Sequence, residues 1–120
     1  MAKYGLVGRN IDYSFSRGFF NAKFKRERRA DQYENFDLSS IEQLDDFLAD
    51  QSDLKGFNVT IPYKEAIIPF LNELSSTVQE IGAVNTVVIK EDGALIGHNT
   101  DHLGFSKSIF NINCRNITIK

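Results

Sequence analysis

Short strand-like segments alternate with helix-like segments along most of this chain. The strand patterns lie at residues 3–7, 33–38, 56–60, 83–90 and 94–97, and the helix patterns at 19–29, 41–49, 62–70, 77–81 and 99–109. This alternation is typical of an α/β domain in which helices cover both faces of a mainly parallel sheet. A turn at residues 91–93 joins two neighbouring strands, so that pair has to be antiparallel. We therefore predict a three-layer α-β-α domain with a mainly parallel, mixed sheet that contains one antiparallel strand pair.

The length and composition of the chain suit one folded domain in a reducing compartment. Its 120 residues, of which 42% are hydrophobic, can bury a core without disulfides, and the single cysteine, Cys114, has no internal partner for a bridge. The sequence contains no long apolar run and no leader pattern, and its net charge is −2. We therefore expect a cytoplasmic protein that binds neither nucleic acid nor a membrane.

A run of basic residues lies in the helix predicted at residues 19–29. Its members are Lys23, Lys25, Arg26, Arg28 and Arg29. A solvated helix face, with the long side chains covering apolar surface, is the favoured interpretation. A phosphate or nucleic-acid patch is the alternative, but no aromatic residues interleave with these charges in the way that base stacking requires.

Ser14 and Ser16 stand in the loop before the first predicted helix. One of the two hydroxyls is explained if that serine caps the helix. The other has no such structural explanation, so a hydrogen bond to a ligand is its alternative role.

The segment that follows the third predicted strand carries a polar pair and a lysine. Alternation along the strand points Asn58 and Thr60 to one face, at the carboxyl end of a strand where α/β proteins bind ligands. Lys64 falls in the first turn of the helix predicted to begin at Pro62. The partial positive charge of a helix N-terminus makes an ammonium easier to deprotonate, which suits an acid–base catalyst. An exposed, solvated lysine is the simpler alternative.

Polar residues also accompany the later strands. Asn85 interrupts an apolar strand and needs hydrogen-bond partners, either from neighbouring loops or from a ligand. Asp101 lies at the start of the last predicted helix. The helix dipole favours a carboxylate there, so a functional role is not needed to explain this residue. His98 and His102 are four residues apart, but no zinc-binding motif accompanies them, so we expect no metal site. The sequence also contains no glycine-rich phosphate-binding motif.

Four segments, in order, resemble those of shikimate dehydrogenases. They are YGLVG with SFS at residues 4–8 and 14–16, GFNVTIPYKE at 56–65, IGAVNT at 81–86, and GHNTDHLG at 97–104. The resemblance implies the fold of the family's N-terminal, substrate-binding domain. Two positions depart from the family pattern, because Arg17 replaces the usual proline and Phe20 the usual histidine, while Asn21 keeps its place.

The resemblance implies an activity and a set of site residues. The activity is the reversible, NADP-dependent reduction of 3-dehydroshikimate to shikimate in aromatic amino-acid biosynthesis. By position, Lys64 and Asp101 match the catalytic pair, and the residues that hold the substrate are Ser14, Ser16, Thr60, Lys64, Asn85 and Asp101. We expect Lys64 and Asp101 to form a hydrogen-bonded pair beside the reacting hydroxyl, with one of them relaying the proton.

The resemblance also predicts a domain boundary. The substrate-binding and catalytic domain is expected at residues 1–115, and residues 116–120 are expected to begin an NADP-binding Rossmann domain that this chain lacks. Because no residue here can cradle a pyrophosphate, we expect the chain alone to be inactive and to bind shikimate weakly. The alternative function is a non-catalytic module that binds shikimate or quinate, or that self-associates as a homodimer through apolar surface left uncovered by the missing domain.

Overall fold

A computed structural model describes residues 2–11 and 16–100 of the chain. The strands are β1 (Lys3–Gly8), β2 (Gln32–Asp37), β3 (Leu54–Val59), β4 (Glu73–Leu74), β5 (Thr86–Ile89) and β6 (Leu95–His98). The α-helices are α1 (Ser16–Arg26), α2 (Leu44–Ala49) and α3 (Ser76–Ile81), and short 3₁₀ helices occupy Ile41–Gln43 and Ile68–Phe70.

The described strands form one sheet in the order β2-β1-β3-β5-β6-β4. β1 is parallel to both β2 and β3, and β4 is parallel to β6. β5 and β6 form the predicted antiparallel hairpin, and β5 is also antiparallel to β3 on its other side. Among these six strands β5 alone runs in the opposite direction, so the prediction of a mainly parallel, mixed sheet is confirmed.

Helices cover both faces of the sheet, as the alternation of segments predicted. Along β1, Tyr4 and Leu6 are buried against α1, whereas Val7 points to the opposite face. That opposite face holds the larger hydrophobic core, in which Leu44 of α2 and Val78 of α3 are buried with the strands. Because side chains alternate along a strand, β1 contributes to both cores at once.

Helix α1 is held against β2 by aromatic packing and by one asparagine. Phe20 and Phe24, four residues apart, are both buried, and the ring of Phe20 stacks on that of Tyr33 with centroids 4.6 Å apart. Asn21 binds the backbone of Tyr33 twice, since its Nδ2 donates to the carbonyl and its Oδ1 accepts from the N–H, both at 2.9 Å. The asparagine thereby satisfies backbone groups at the edge of the sheet that no other described strand pairs.

The C-terminal end of α1 is closed by a residue in a left-handed conformation. The N–H of Arg29 donates to the carbonyl of Phe24 at 2.8 Å, and the N–H of Arg28 donates to that of Lys25 at 3.1 Å. This hydrogen-bond pair is the Schellman motif, in which Arg28, with φ of 57°, occupies the position that usually holds glycine. The predicted helix at residues 19–29 therefore begins three residues earlier and ends at Arg26.

Replacing Arg28 by glycine is expected to stabilise the domain. A left-handed φ strains a residue that has a Cβ. Removing the Cβ of residue 28 is expected to raise the free energy of unfolding by about 0.5–1 kcal/mol, net of glycine's larger backbone entropy. Urea denaturation measures the change. Arg26→Gly, inside the last turn, is the matched control and should destabilise by about 1 kcal/mol. Equal effects of the two variants would contradict a role for the left-handed conformation.

The helix predicted to begin at Pro62 is absent, and this prediction was wrong. Residues 61–67 form successive turns, followed by the 3₁₀ helix Ile68–Phe70, and the Ile61–Pro62 peptide bond is cis. The segment between Pro62 and Pro69 is too short to recover the cost of helix nucleation. Its position is instead held by the burial of Tyr63 and Ile67 in the larger core. Lys64 therefore does not lie in the first turn of a helix, and the helix-dipole argument for it does not apply.

Other expectations are met with shifted boundaries. The helix predicted at residues 41–49 begins with a 3₁₀ turn, which Ser40 caps by accepting from the N–H of Glu42 with its hydroxyl. Helix α3 ends at Gly82, whose φ is 81°. The two-residue strand β4 at the sheet edge was not predicted. Residues 99 and 100 are not helical, and residues 101–109 of the helix expected at 99–109 lie outside the described residues, as do residues 116–120. Within the described ranges, no helix is long and apolar enough to cross a membrane.

Candidate active site

The predicted site residues belong to segments that leave one edge of the sheet. At this edge β1, β3 and β6 end and β5 begins, because β5 runs against its neighbours. The β1 end leads into the loop that holds Ser14, and the β6 end leads into residues 99–101. Ser16 is the first residue of α1. Ser14, Asp101 and the side chain of Ser16 lie outside what the structure describes.

Thr60 follows the last residue of β3 and is half-buried. Its N–H donates to the carbonyl of Val7 at 2.9 Å, which continues the β1–β3 pairing by one residue. Its side chain lies across Gly8, where an added Cβ would be 2.6 Å from the Thr60 Cγ2 atom. The absence of a side chain at Gly8 therefore makes room for Thr60 at the sheet edge.

Lys64 lies in the turns after β3 and is half-buried rather than fully exposed. Its carbonyl accepts a hydrogen bond from the N–H of Val84 at 2.8 Å. The preceding Tyr63 is buried and donates its hydroxyl hydrogen to the carbonyl of Leu38. These contacts fix the backbone of Lys64 next to the segment that carries Asn85.

The sequence pattern placed Asn85 inside the strand predicted at residues 83–90. In the structure Asn85 stands immediately before β5, which begins at Thr86. Its side-chain Oδ1 accepts from the N–H of Thr100 at 3.0 Å, and from the hydroxyls of Thr86 at 3.0 Å and Thr100 at 3.3 Å. Its backbone N–H donates to His98, and its carbonyl accepts from Val59. Neighbouring loops and strands thus supply the partners that the sequence required for this amide.

The start of the loop that carries Ser14 is anchored by β2. The two carboxylate oxygens of Asp37 accept from the N–H groups of Asn10 and Ile11, at 3.1 and 3.3 Å. The Nδ2 of Asn35 donates to the carbonyl of Ile11 at 3.1 Å. Side chains at the end of β2 therefore set where this loop leaves the sheet.

The predicted site residues did not include four polar residues, of which three contact Asn85 and the fourth, Tyr33, contacts Asn58. They are Tyr33, Asn58, Thr86 and Thr100, all of them buried. Asn58 had a signal in the sequence, because it shares a strand face with Thr60. Thr86 and Thr100 stand within two of the four segments that resemble the family. Tyr33 had no signal, since its hydroxyl reaches Asn58 across β1, the strand that lies between β2 and β3.

The three described site residues, Thr60, Lys64 and Asn85, bring a hydroxyl, an ammonium and a carboxamide to one edge of the sheet. Groups of this kind suit a small ligand that carries hydroxyl and carboxylate groups. In the described part of the chain, no three histidine, cysteine or acidic side chains gather as a metal site would require.

Comparison with known proteins identifies the family. Residues 6–87 match the family model described as the shikimate dehydrogenase substrate binding domain. A shikimate dehydrogenase (NADP(+)) from Clostridium botulinum strain Hall is 46% identical over 116 residues, which cover 93% of this chain and 44% of that relative. The chain thus spans less than half the length of such relatives.

Solved structures agree with the sequence match. A shikimate 5-dehydrogenase from Thermus thermophilus in complex with shikimate has a TM-score of 0.78 and 31% identity, over 92% of this chain and 42% of that one. A quinate dehydrogenase from Corynebacterium glutamicum in complex with NAD has a TM-score of 0.75 and 34% identity, over 92% of this chain and 41% of that one. On the match over residues 6–87, this chain belongs to the shikimate dehydrogenase substrate binding domain family.

Proposed function

We propose that this chain is the substrate-binding half of an NADP-dependent shikimate dehydrogenase, which reduces 3-dehydroshikimate to shikimate reversibly. The observation that carries the proposal is the convergence of Thr60, Lys64 and Asn85 at one sheet edge in a chain of this family. Backbone hydrogen bonds join their segments, from Val59 to Asn85 at 2.9 Å and from Val84 to Lys64 at 2.8 Å. Strands that end at one edge are where α/β proteins bind small ligands.

The proposed roles follow the chemistry of each side chain. Thr60 and Asn85, together with Ser14 and Ser16, hold the carboxylate and hydroxyl groups of the substrate by hydrogen bonds. Lys64 and Asp101 contact the reacting hydroxyl and exchange its proton. When NADP is bound, it supplies the hydride.

We further propose that NADP binds outside the substrate-binding domain. The domain is assigned to residues 1–115, and residues 116–120 are assigned to the start of a Rossmann domain. The sequence contains no glycine-rich turn for a pyrophosphate, which supports this division. A polypeptide of these 120 residues is therefore expected to bind the substrate without the cofactor and to transfer no hydride.

Titration of the ¹⁵N-labelled 120-residue chain with shikimate tests the proposal. We expect weak binding, with a dissociation constant of about 1 mM or higher, because part of the contact surface is missing. The backbone amide signals of Thr60, Lys64 and Asn85 should shift most. NADP added separately should shift none of them, and quinate is the comparison ligand for specificity, given the similarity to a quinate dehydrogenase.

Two lysines of β3 and its following turn provide a matched control for this titration. Lys64→Ala should weaken shikimate binding measurably but by less than about tenfold, whereas Lys55→Ala, at an exposed position of β3, should leave it unchanged. Absence of any shikimate shift, or shifts confined to residues far from this edge, would contradict the proposed function. Binding of quinate in place of shikimate would favour the alternative of a quinate-binding module.

A further inference from the structure

A chain of buried hydrogen bonds connects β2 to the carboxamide of Asn85. The hydroxyl of Tyr33 donates to the Oδ1 of Asn58 at 3.0 Å. The Nδ2 of Asn58 donates to the hydroxyl of Thr86 at 3.1 Å and to the carbonyl of Asn85 at 3.3 Å. The hydroxyl of Thr86 donates in turn to the Oδ1 of Asn85 at 3.0 Å. Tyr33, Asn58 and Thr86 are each at most 1% exposed.

Two backbone groups, one that can only accept and one that can only donate, determine the direction of these hydrogen bonds. The backbone carbonyl of Asn85 can only accept, so the side-chain atom of Asn58 beside it has to be the nitrogen, and Oδ1 has to face Tyr33. The backbone N–H of Thr100 can only donate, so the Asn85 atom that it contacts has to be Oδ1. The hydroxyl of Thr86, which accepts from Asn58, is then left with its hydrogen for Asn85.

The protonation of Tyr33 agrees with this direction. Burial raises the pKa of the Tyr33 phenol far above its ordinary value. The hydroxyl therefore keeps its hydrogen at any physiological pH and remains a donor to Asn58. Helix α1 holds the tyrosine in place, because Phe20 stacks on its ring and Asn21 binds its backbone.

We propose that Thr86, supported by Asn58 and Tyr33, is a positioning residue that orients the carboxamide of Asn85 for the ligand. With Oδ1 held by Thr86 and Thr100, the Nδ2 group lies on the other side of the carboxamide and donates one of its two hydrogens to an acceptor oxygen of the bound molecule. The inference rests on the proposed function, and it adds to that function a determinant of specificity. An amide held in one orientation accepts no ligand donor at the Nδ2 position, and it discriminates between oxygen acceptors and donors.

The same hydrogen bonds connect the segment that leads to Asp101 with helix α1, which begins at Ser16. Thr100 directly precedes Asp101, and its hydroxyl lies 3.3 Å from that of Thr86. Helix α1, which begins at Ser16, holds Tyr33 at the other end of the chain of hydrogen bonds. Loss of the Thr86 hydroxyl is therefore expected to loosen Asn85 and the residues that lead to Asp101 together.

Thr86→Val, compared with Thr86→Ser in the 120-residue chain, tests this role. Valine has the shape of threonine without its hydroxyl, and it should weaken shikimate binding about tenfold, whereas serine should stay within about threefold of the wild type. The side-chain amide signals of Asn85 should move in the valine variant and return in the serine variant. Thr77→Val, on α3, is the matched control and should change neither measurement.

Further outcomes separate this inference from the proposed function. If the wild-type chain binds no shikimate, the proposed function fails, while the Asn85 side-chain signals still decide the positioning role. Side-chain amide signals of Asn85 that are the same in the wild type and in Thr86→Val would overturn the inference. If the valine variant does not fold, Tyr33→Phe replaces it, with an expected loss of affinity of about threefold. Unchanged Asn85 signals and unchanged affinity in that variant would equally overturn it.

Discussion

In the complete two-domain enzyme that we propose, Lys64→Ala is expected to lower kcat by about 10²–10⁴-fold, while KM for shikimate changes by less than about tenfold. A proton has to leave or join the reacting oxygen while hydride is transferred, and the lysine ammonium is the proposed partner for that proton. The backbone of Lys64 is fixed by its hydrogen bond from Val84. Truncation to alanine therefore removes the amine while this backbone contact remains.

Steady-state kinetics with saturating NADP distinguish this role from simple binding. Loss in kcat with little change in KM indicates an interaction made in the transition state, whereas a raised KM with an unchanged kcat would assign Lys64 to substrate binding. Lys55→Ala is the matched control, because Lys55 is exposed on β3. An unchanged kcat in Lys64→Ala would remove the lysine from the proposed catalytic pair.

Phe20→Ala is expected to reduce the free energy of unfolding of the domain by about 3–5 kcal/mol. Phe20 is fully buried, stacks on Tyr33 and packs near Phe24 with ring centroids 6.5 Å apart. Alanine leaves a cavity between α1 and the sheet that the surrounding strands cannot close. The structure shows this phenylalanine as a core residue.

Urea denaturation of Phe20→Ala and of Phe19→Ala measures the contrast. Phe19 is adjacent in sequence but 37% exposed, and its truncation should cost less than about 1 kcal/mol. A domain of this size has about 5–15 kcal/mol of stability, so Phe20→Leu, expected to cost about 1.5 kcal/mol or less, serves if the alanine variant is unfolded. Similar losses for Phe19→Ala and Phe20→Ala would contradict the assignment of Phe20 to the core.

The order and type of most elements could be predicted from local patterns. The strand pattern at residues 3–7 predicted β1, and in the structure Tyr4 and Val7 lie on opposite faces of the sheet. The turn at residues 91–93 predicted the β5–β6 hairpin, and the helix pattern at residues 77–81 predicted α3. In these cases the signal lies in a few consecutive residues, whose backbone preferences agree with the final fold.

The candidate site was predicted through motifs rather than geometry. Thr60, Lys64 and Asn85 were selected in separate segments, and their proximity follows from the pairing of Asn58 with Thr86 between β3 and β5. The electrostatic argument for Lys64 depended on a helix after Pro62 that does not form. Local patterns cannot weigh two prolines against a hydrophobic core, so that error came from applying helix signals without the packing.

By itself, the sequence determined which residues alternate, where turns interrupt them, and that polar groups follow the strands at one edge. Only the tertiary structure decided that β4 pairs with β6, and that Tyr33 reaches Asn58 and through it Thr86. Tyr33 and Asn58 are 25 residues apart in the chain. Their contact depends on how strands and helix α1 pack, and the hydrogen bonds that orient Asn85 exist only once that packing has excluded water.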